Sequence, residues 1–387
     1  MAEYQFITDT ASLKDLCQRL ERAPFVTVDT EFMRESTYYP DLCLIQVASP
    51  DEAAAVDPKA DMDLSPLLDL ITRAEVLKVM HAAGQDVEII YNRTGETPWP
   101  LFDTQIAAMA LGLGEQVSYA TLVSHYLGHT LDKGARFTDW GRRPLDQRQL
   151  DYAIADVTHL AEIFPKMLEG LKQTGRGDWL DEDMQRLTDP KNYANEPENA
   201  WQRVKFPGRN AEALGRLKAL AAWREREAQA KDLPRGRIVK DETLADLAGH
   251  PPKDQQALSR VRGLSKTWAA NDIGERLMKA LADAEPMPKS EIPDKPRGRP
   301  RLNADSSLVA DLLKLLLKVR AKEADVASRL IGRAEDLERL AAGERSGLPL
   351  LEGWRYDVFG ADALALVEGR RSFAVKDGRM VMTEVGD

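Results

Sequence analysis

Asp29 and Glu31 stand one residue apart in VTVDTEF, a stretch otherwise rich in β-formers. Side chains along a strand alternate between faces, so both acids project from the same side. Two carboxylates that close repel each other, and burial raises the cost of ionising either one. Such a strand needs a cation, a proton or open water beside it. Asp86 lies just beyond the apolar run VLKVMH, at or near the start of the next helix. In QLDYAIADVTHLAE, Tyr152 and Asp156 are four apart on a strongly helical pattern and share one face. One strand, one strand–helix junction and one helix thus offer four carboxylates and a phenol. Gathered into one pocket, and with no zinc-type His or Cys set beside them, they suit hard divalent cations. Left apart, they are solvated faces of ordinary elements.

The elements that must position them read as alternating strands and helices. FVTVDTEF, LCLIQVAS, EAAAVDP, EVLKVMH and WPLFDT have strand patterns. DLSPLLDLITRA, QDVEIIYNRTG and TQIAAMALGLG have helical spacing between them. Gly84 is expected as a turn residue, Gly95 as a helix stop, and Asp103 as the cap of a helix starting at Thr104. The mixture predicts an α/β fold with a mixed sheet. From about Ser118 the periodicity turns helical, including the long run LDQRQLDYAIADVTHLAEIFPKMLEGLKQT. Two polar, proline-rich stretches then divide the chain. The expected organisation is an α/β domain over 1–190, a linker over 191–209 and a helical domain over 210–287. A Pro/basic connector over 288–302 and a second helical domain over 303–387 follow, the last ending in a hairpin at Asp377-Gly378.

Composition excludes several classes. At 387 residues, 43% hydrophobic and 30% charged, the chain reads as a multidomain globular protein. No uncharged apolar run approaches a membrane span. The start MAEYQFITDTASLKDL has no leader pattern, and Cys17 and Cys43 form no CxxC, so a reducing, cytoplasmic setting is expected. The net charge of −10 argues against a generic nucleic-acid coat. It leaves room for an enzyme that grips a chain end through bound cations. No sustained heptad asks for an oligomer, and a monomer is expected.

VTVDTEF, HAAGQDVEIIY and YAIADVTHL resemble the three motifs of the DEDD exonuclease superfamily, in its tyrosine-bearing branch. DTEFMRESTYYPDLCLIQVA, PLFDTQIAA and TDWGRRPLDQRQLDYAIADV are similar to the bacterial ribonuclease D family, densely over Phe6 to Leu171. The resemblance implies a ribonuclease H-like mixed sheet flanked by helices, and a 3′→5′ exoribonuclease. It further implies that 5′-nucleoside monophosphates are released from RNA 3′ ends, such as those of tRNA precursors and structured small RNAs. Two divalent ions, Mg²⁺ or Mn²⁺, would serve the reaction, since a metal pair can activate water, stabilise charge at phosphorus and assist the leaving oxygen. By the same resemblance Asp29, Glu31 and Asp156 would hold the first ion. Asp29 would be shared with the second, and Asp86 would reach it through water. Tyr152 would orient the attacking water, because a phenol of ordinary pKa near 10 is a poor base.

The remaining residues of interest carry two readings each. Phe32 and Met33 could stack on the terminal base or belong to the core. His81 and Gln85 could contact the last nucleotide or be structural. Lys133, with Arg136, Arg142 and Arg143, could steer phosphates or form a solvated face. The block from about 211 to 284 resembles the HRDC domain, a small helical bundle. Lys231, Arg235, Arg237 and Lys240 there could make sequence-independent phosphate contacts or be a solvated bundle face. The last block resembles a degenerate second copy.

Overall fold

The structure is a computed structural model that describes residues 3–131, 134, 138–208, 210–292 and 302–385. Its N-terminal strands are β1 (Gln5–Ile7), β2 (Val26–Met33), β3 (Asp41–Ala48), β4 (Ala53–Val56), β5 (Lys78–Met80) and β6 (Leu101–Asp103). They form one mixed sheet in the order β1–β4–β3–β2–β5–β6. β2 runs antiparallel to β3 and parallel to β5, which in turn is parallel to β6. Asp29 pairs with Gln46 and Glu31 with Leu44, and the register shifts by a bulge just after Glu31. A bulge bends a strand and re-aims its side chains. Here it falls two residues before the end of β2, with Phe32 and Met33 still paired to β3.

Alternation along β2 sorts its residues between two layers. Val26 and Val28 enter an apolar layer with α1 (Thr10–Leu20), α2 (Ser65–Thr72) and α3 (Gly84–Thr94), through Leu13, Leu16, Leu67, Leu70, Val87 and Ile90. Each such fully buried leucine stabilises the layer by roughly 2 kcal/mol relative to exposure. The opposite face is covered by α6 (Gln147–Thr174), whose Ala153, Ile154 and Val157 pack on Cys43, Leu44 and Ala55. The Thr27 hydroxyl reaches the Val157 carbonyl at 3.0 Å and ties β2 to α6 below the acids. A capping box of Asp146 and Gln149 starts α6, and left-handed Gly175 ends it. α4 (Thr104–Ala110) and α5 (Tyr119–Leu127) flank this helix, and α7 (Asp181–Leu187) closes the domain.

The turn before Asp86 differs from expectation. Gly84 is the first residue of α3, and Ala82 takes the left-handed conformation instead, at φ 55°. An alanine there costs about 1 kcal/mol or more. Asp103 holds the turn down: its carboxylate accepts N–H bonds from Ala82 and Ala83 at 3.2 and 2.8 Å while capping α4, as expected, at Gln105 and Ile106. Short β1 and helix α1 were not read from the sequence. Three strand residues give too little alternation to register.

The C-terminal part contains α8 (Ala211–Lys231), α9 (Arg235–Ile238), α10 (Asp241–Gly249), α11 (Gln255–Leu258), α12 (Lys266–Ala269) and α13 (Asp272–Ala282). Then follow α14 (Ala304–Glu323), α15 (Ser328–Ile331), α16 (Ala334–Ala341), α17 (Gly353–Arg355) and α18 (Ala361–Val367). The hairpin β7 (Arg371–Lys376) and β8 (Arg379–Glu384) turns at Asp377-Gly378, both at positive φ. The polar stretch before α8 is packed: Pro197–Arg203 is a 3₁₀ helix, with Ala200 and Trp201 buried among α8 residues. Of the connector read over 288–302, residues 293–301 lie outside the described residues.

Both helical units are fastened to the α/β domain. Tyr38, in the loop after β2, is buried in the α8 core, donates its hydroxyl to Glu225 and accepts from Arg235 at 2.9 Å. Asp232, left-handed at φ 48° after α8, accepts the Tyr38 and Tyr39 N–H groups at 3.0 Å each. Asp325, left-handed at φ 50° after α14, contacts the other side of the domain. Arg176 donates to its carbonyl at 3.0 Å, and Ala327 N–H donates to the Met109 carbonyl at 2.9 Å. Trp179 and Trp354 stack with centroids 4.0 Å apart, and Arg355 pairs with Glu182 and Asp183.

Gly112 marks how close the second contact is. At φ +73°, a Cβ there would stand 2.7 Å from the Asp325 Oδ1 and 2.8 Å from its carbonyl oxygen. Gly112→Ala is therefore expected to cost about 2 kcal/mol, from the left-handed backbone and the clash together. Thermal unfolding should show the loss, and limited proteolysis should release the 302–385 unit faster. An unchanged melting temperature and cleavage pattern would contradict the contact.

Candidate active site

One cleft, with a volume of about 560 Å³, opens where β2 and β5 reach their carboxyl ends. Its lining includes Asp29, Glu31, Asp86, Tyr152 and Asp156 together. Crevices at the carboxyl ends of parallel strands are the usual place for a ligand in α/β sheets. Asp29, Glu31 and Asp156 each offer an oxygen, and these atoms all lie within 4.8 Å of one another. Asp86 stands outside that trio. It arrives from α3, on the opposite face of the sheet, and accepts a hydrogen bond from Thr30, the residue between the two β2 acids. The strand end is thus straddled: three acids on the α6 side and one on the α3 side.

The electrostatics follow from crowding. Burial first, and the Asp156 charge second, push the Asp29 carboxyl up to about 8. Burial and then Asp29 raise Asp86 well above its ordinary value, against the opposing hydrogen bond from Thr30. Among the described residues the lining holds no lysine or arginine. The donor set is all carboxylate oxygen, which fits hard cations of the Mg²⁺ and Mn²⁺ type and not zinc. A divalent ion would offset the burial and the repulsion that push Asp29 and Asp86 up.

The other singled-out residues are placed as follows. Phe32, His81 and Gln85 line the cleft with the acids. The His81 ring lies 3.0 Å from the Thr104 hydroxyl through Nδ1, and burial holds its pKa low against the pull of Asp103. Met33 is outside the lining and packs on the apolar layer under α6. Lys133 and Arg136 lie outside the described residues. Arg143 is committed inward, bonding Asp57 through two nitrogens at 2.6 and 2.7 Å and the Cys43 carbonyl at 2.6 Å. Arg235 is spent on Glu225 and Tyr38, so it leaves the basic group expected around α9.

Sequence reasoning missed Thr30, Gln105, Gln116, Ser118 and Tyr119, which also line the cleft. Tyr119 donates to the Asp156 carbonyl at 2.5 Å and braces the turn of α6 that carries the acid. Its only sequence signal is its place directly after Ser118, the cap of α5. Burial, then Asp156, raise its pKa well above the ordinary value, so it stays a donor.

Residues 4–172 match the family model described as 3′-5′ exonuclease, and residues 213–281 match the HRDC domain. Ribonuclease D of Sphingobium indicum is 64% identical over 385 residues, covering 99% of each chain. Ribonuclease D of Zymomonas mobilis is 58% identical over 385 residues, again 99% of each chain. Among solved structures, Escherichia coli RNase D, described as an exoribonuclease involved in structured RNA processing, superposes with a TM-score of 0.80. It is 30% identical, and the match covers 95% of this chain and 99% of that one.

The raised Asp29 pKa sets a pH dependence of the metal-free fold. Below its ordinary value of 3.8 the carboxyl is protonated folded or unfolded and contributes nothing. Between there and about 8 the unfolded chain gives up a proton that the folded one keeps, so stability falls as pH rises. Asp29→Asn should flatten that decline and raise the melting temperature of the chelator-treated protein near pH 8 relative to the parent. Parallel pH–melting curves for the two proteins would show that the carboxyl is not held protonated.

Proposed function

As a member of the ribonuclease D family this chain is a 3′→5′ exoribonuclease, and we propose that two divalent ions, Mg²⁺ or Mn²⁺, serve its cleft. We propose further that it trims the 3′ ends of tRNA precursors and other structured RNAs, one 5′-nucleoside monophosphate at a time. The observation that carries this reading is the carboxylate trio within 4.8 Å, with Asp86 across the strand end in the same cleft. When bound, such an ion pair activates water, stabilises charge at phosphorus and assists the departing 3′ oxygen.

The chain's own residues supply position. Asp29, Glu31 and Asp156 would hold one ion, Asp29 would be shared with the second, and Asp86 would hold that one from the α3 side. Tyr152, one helical turn before Asp156, would orient the attacking water and fix its line of approach. Phe32 offers a ring to the last base, a contact that tolerates any base. His81 and Gln85 offer polar contacts to the last nucleotide. The two helical units serve as auxiliary grips that hold structured RNA beside the cleft. The repeated order of a long, a four-residue and a short helix, α8–α9–α10 and α14–α15–α16, supports reading the second as a degenerate copy of the first.

End-labelled RNA carrying a tRNA-like 3′ extension tests this. With Mg²⁺ the extension should shorten in single-nucleotide steps from the 3′ end, and chelator should stop it. Asp156→Asn should cut the rate on the order of 10³-fold or more. Tyr152→Phe should lower kcat about 10²-fold with KM little changed, the pattern of lost positioning. Internal cleavage, chelator-insensitive trimming, or equal rates on DNA of the same sequence would overturn the reading.

A further inference from the structure

Gln46 has no role in the chemistry above, yet it is the most conspicuous polar residue behind the cleft. It is fully buried, at 0% exposure, in the middle of β3. Neither its amide nitrogen nor its amide oxygen has a hydrogen-bond partner among the described residues. Buried amides are nearly always satisfied, by protein or by ordered water. An apolar side chain would have avoided the penalty, as its neighbours Leu44, Ala48, Ala53 and Ala55 do.

Register states what the amide faces. Gln46 is the cross-strand partner of Asp29 on one side and of Ala55 on the other. Directly opposed residues share a face, with Cβ atoms about 5 Å apart. Ala55 offers nothing polar. Thr27, the residue two before Asp29 on the same face, already spends its hydroxyl on the Ala48 and Val157 carbonyls. Asp29 is therefore the polar side chain that the ladder sets beside the unpaired amide. A second orphan, the Trp140 indole N–H, sits in the same layer under α6, so the layer holds two unmet donors of the kind an internal water satisfies.

We propose that Gln46 is a positioning residue for the metal site. Its amide N–H₂, through one buried water, holds the Asp29 carboxylate in the orientation that the ions require. This rests on the metal reading of Asp29 given above. Groups behind a metal ligand fix its orientation, and their loss typically weakens metal affinity about 10- to 100-fold.

The test is calorimetric titration of the full chain with Mn²⁺, beside thermal unfolding without metal. Gln46→Leu should weaken Mn²⁺ binding about tenfold or more, and leave the metal-free melting temperature unchanged or higher. A residue that served only packing would lower the melting temperature and leave Mn²⁺ affinity alone. Gln46→Met, closer in shape, is expected to match the leucine variant and decides the matter should leucine fail to fold. Mn²⁺ affinities within twofold of the parent in a folded variant would overturn the proposal. So would a crystal structure of the Mn²⁺-bound parent with the Gln46 amide turned from Asp29 and no water between them. A parent chain that binds no Mn²⁺ would overturn the metal reading itself, and this one with it.

Discussion

Like charges held closer than water would allow are the constraint around which this molecule is arranged. Three carboxylate oxygens within 4.8 Å repel, and the sheet and α6 act to keep them there, while the turn before α3 brings Asp86 up beside them. β2 supplies two of them from one face because side chains alternate. α6 supplies the third because Ala153 and Val157 seat its adjacent turns on the sheet. Tyr119 and Thr27 pin that helix to its neighbours through backbone carbonyls. Asp103 holds strained Ala82 in place, and with it the start of the helix that carries Asp86. The fold stores the repulsion, and a divalent cation is the ligand that relieves it.

Part of the chain's positive charge is used as mortar. Arg143 locks the loop before α6 to Asp57, Arg235 locks Glu225 and Tyr38, and Arg355 locks Glu182 and Asp183. Glu225 shows what such a pairing does: burial would raise its pKa, but Arg235 and Tyr38 outweigh that and hold it below the ordinary value. An acidic protein with these three arginines committed to internal pairs does not coat nucleic acid by charge. It acts at a chain end, as a 3′→5′ exoribonuclease does, beside a cleft lined by carboxylates.

Much of the site was legible in the sequence because its signals are local. The alternation of Asp29 and Glu31, the four-residue spacing of Tyr152 and Asp156, and the cap at Asp103 each depend on a few neighbouring residues. What was not legible depends on distant partners. Arg235 looks like a phosphate contact until Tyr38, almost two hundred positions earlier, claims it. Met33 follows the site acids in sequence, but the bulge after Glu31 and the layer under α6 take it out of the cleft. Gly84 is the better left-handed residue, yet Asp103 forces Ala82 into that role. The polar stretch before α8 hides one tryptophan, Trp201, and that one ring packs it down.

Asp232 and Asp325 occupy matching places, each left-handed just past the first long helix of its unit, and each meets the α/β domain. Two arms bolted separately to one body do not rely on each other for alignment. The seat of each arm is set at the end of its own long helix. Adding one residue to α8 or α14 would swing the bolt about a hundred degrees round its helix and unseat the arm.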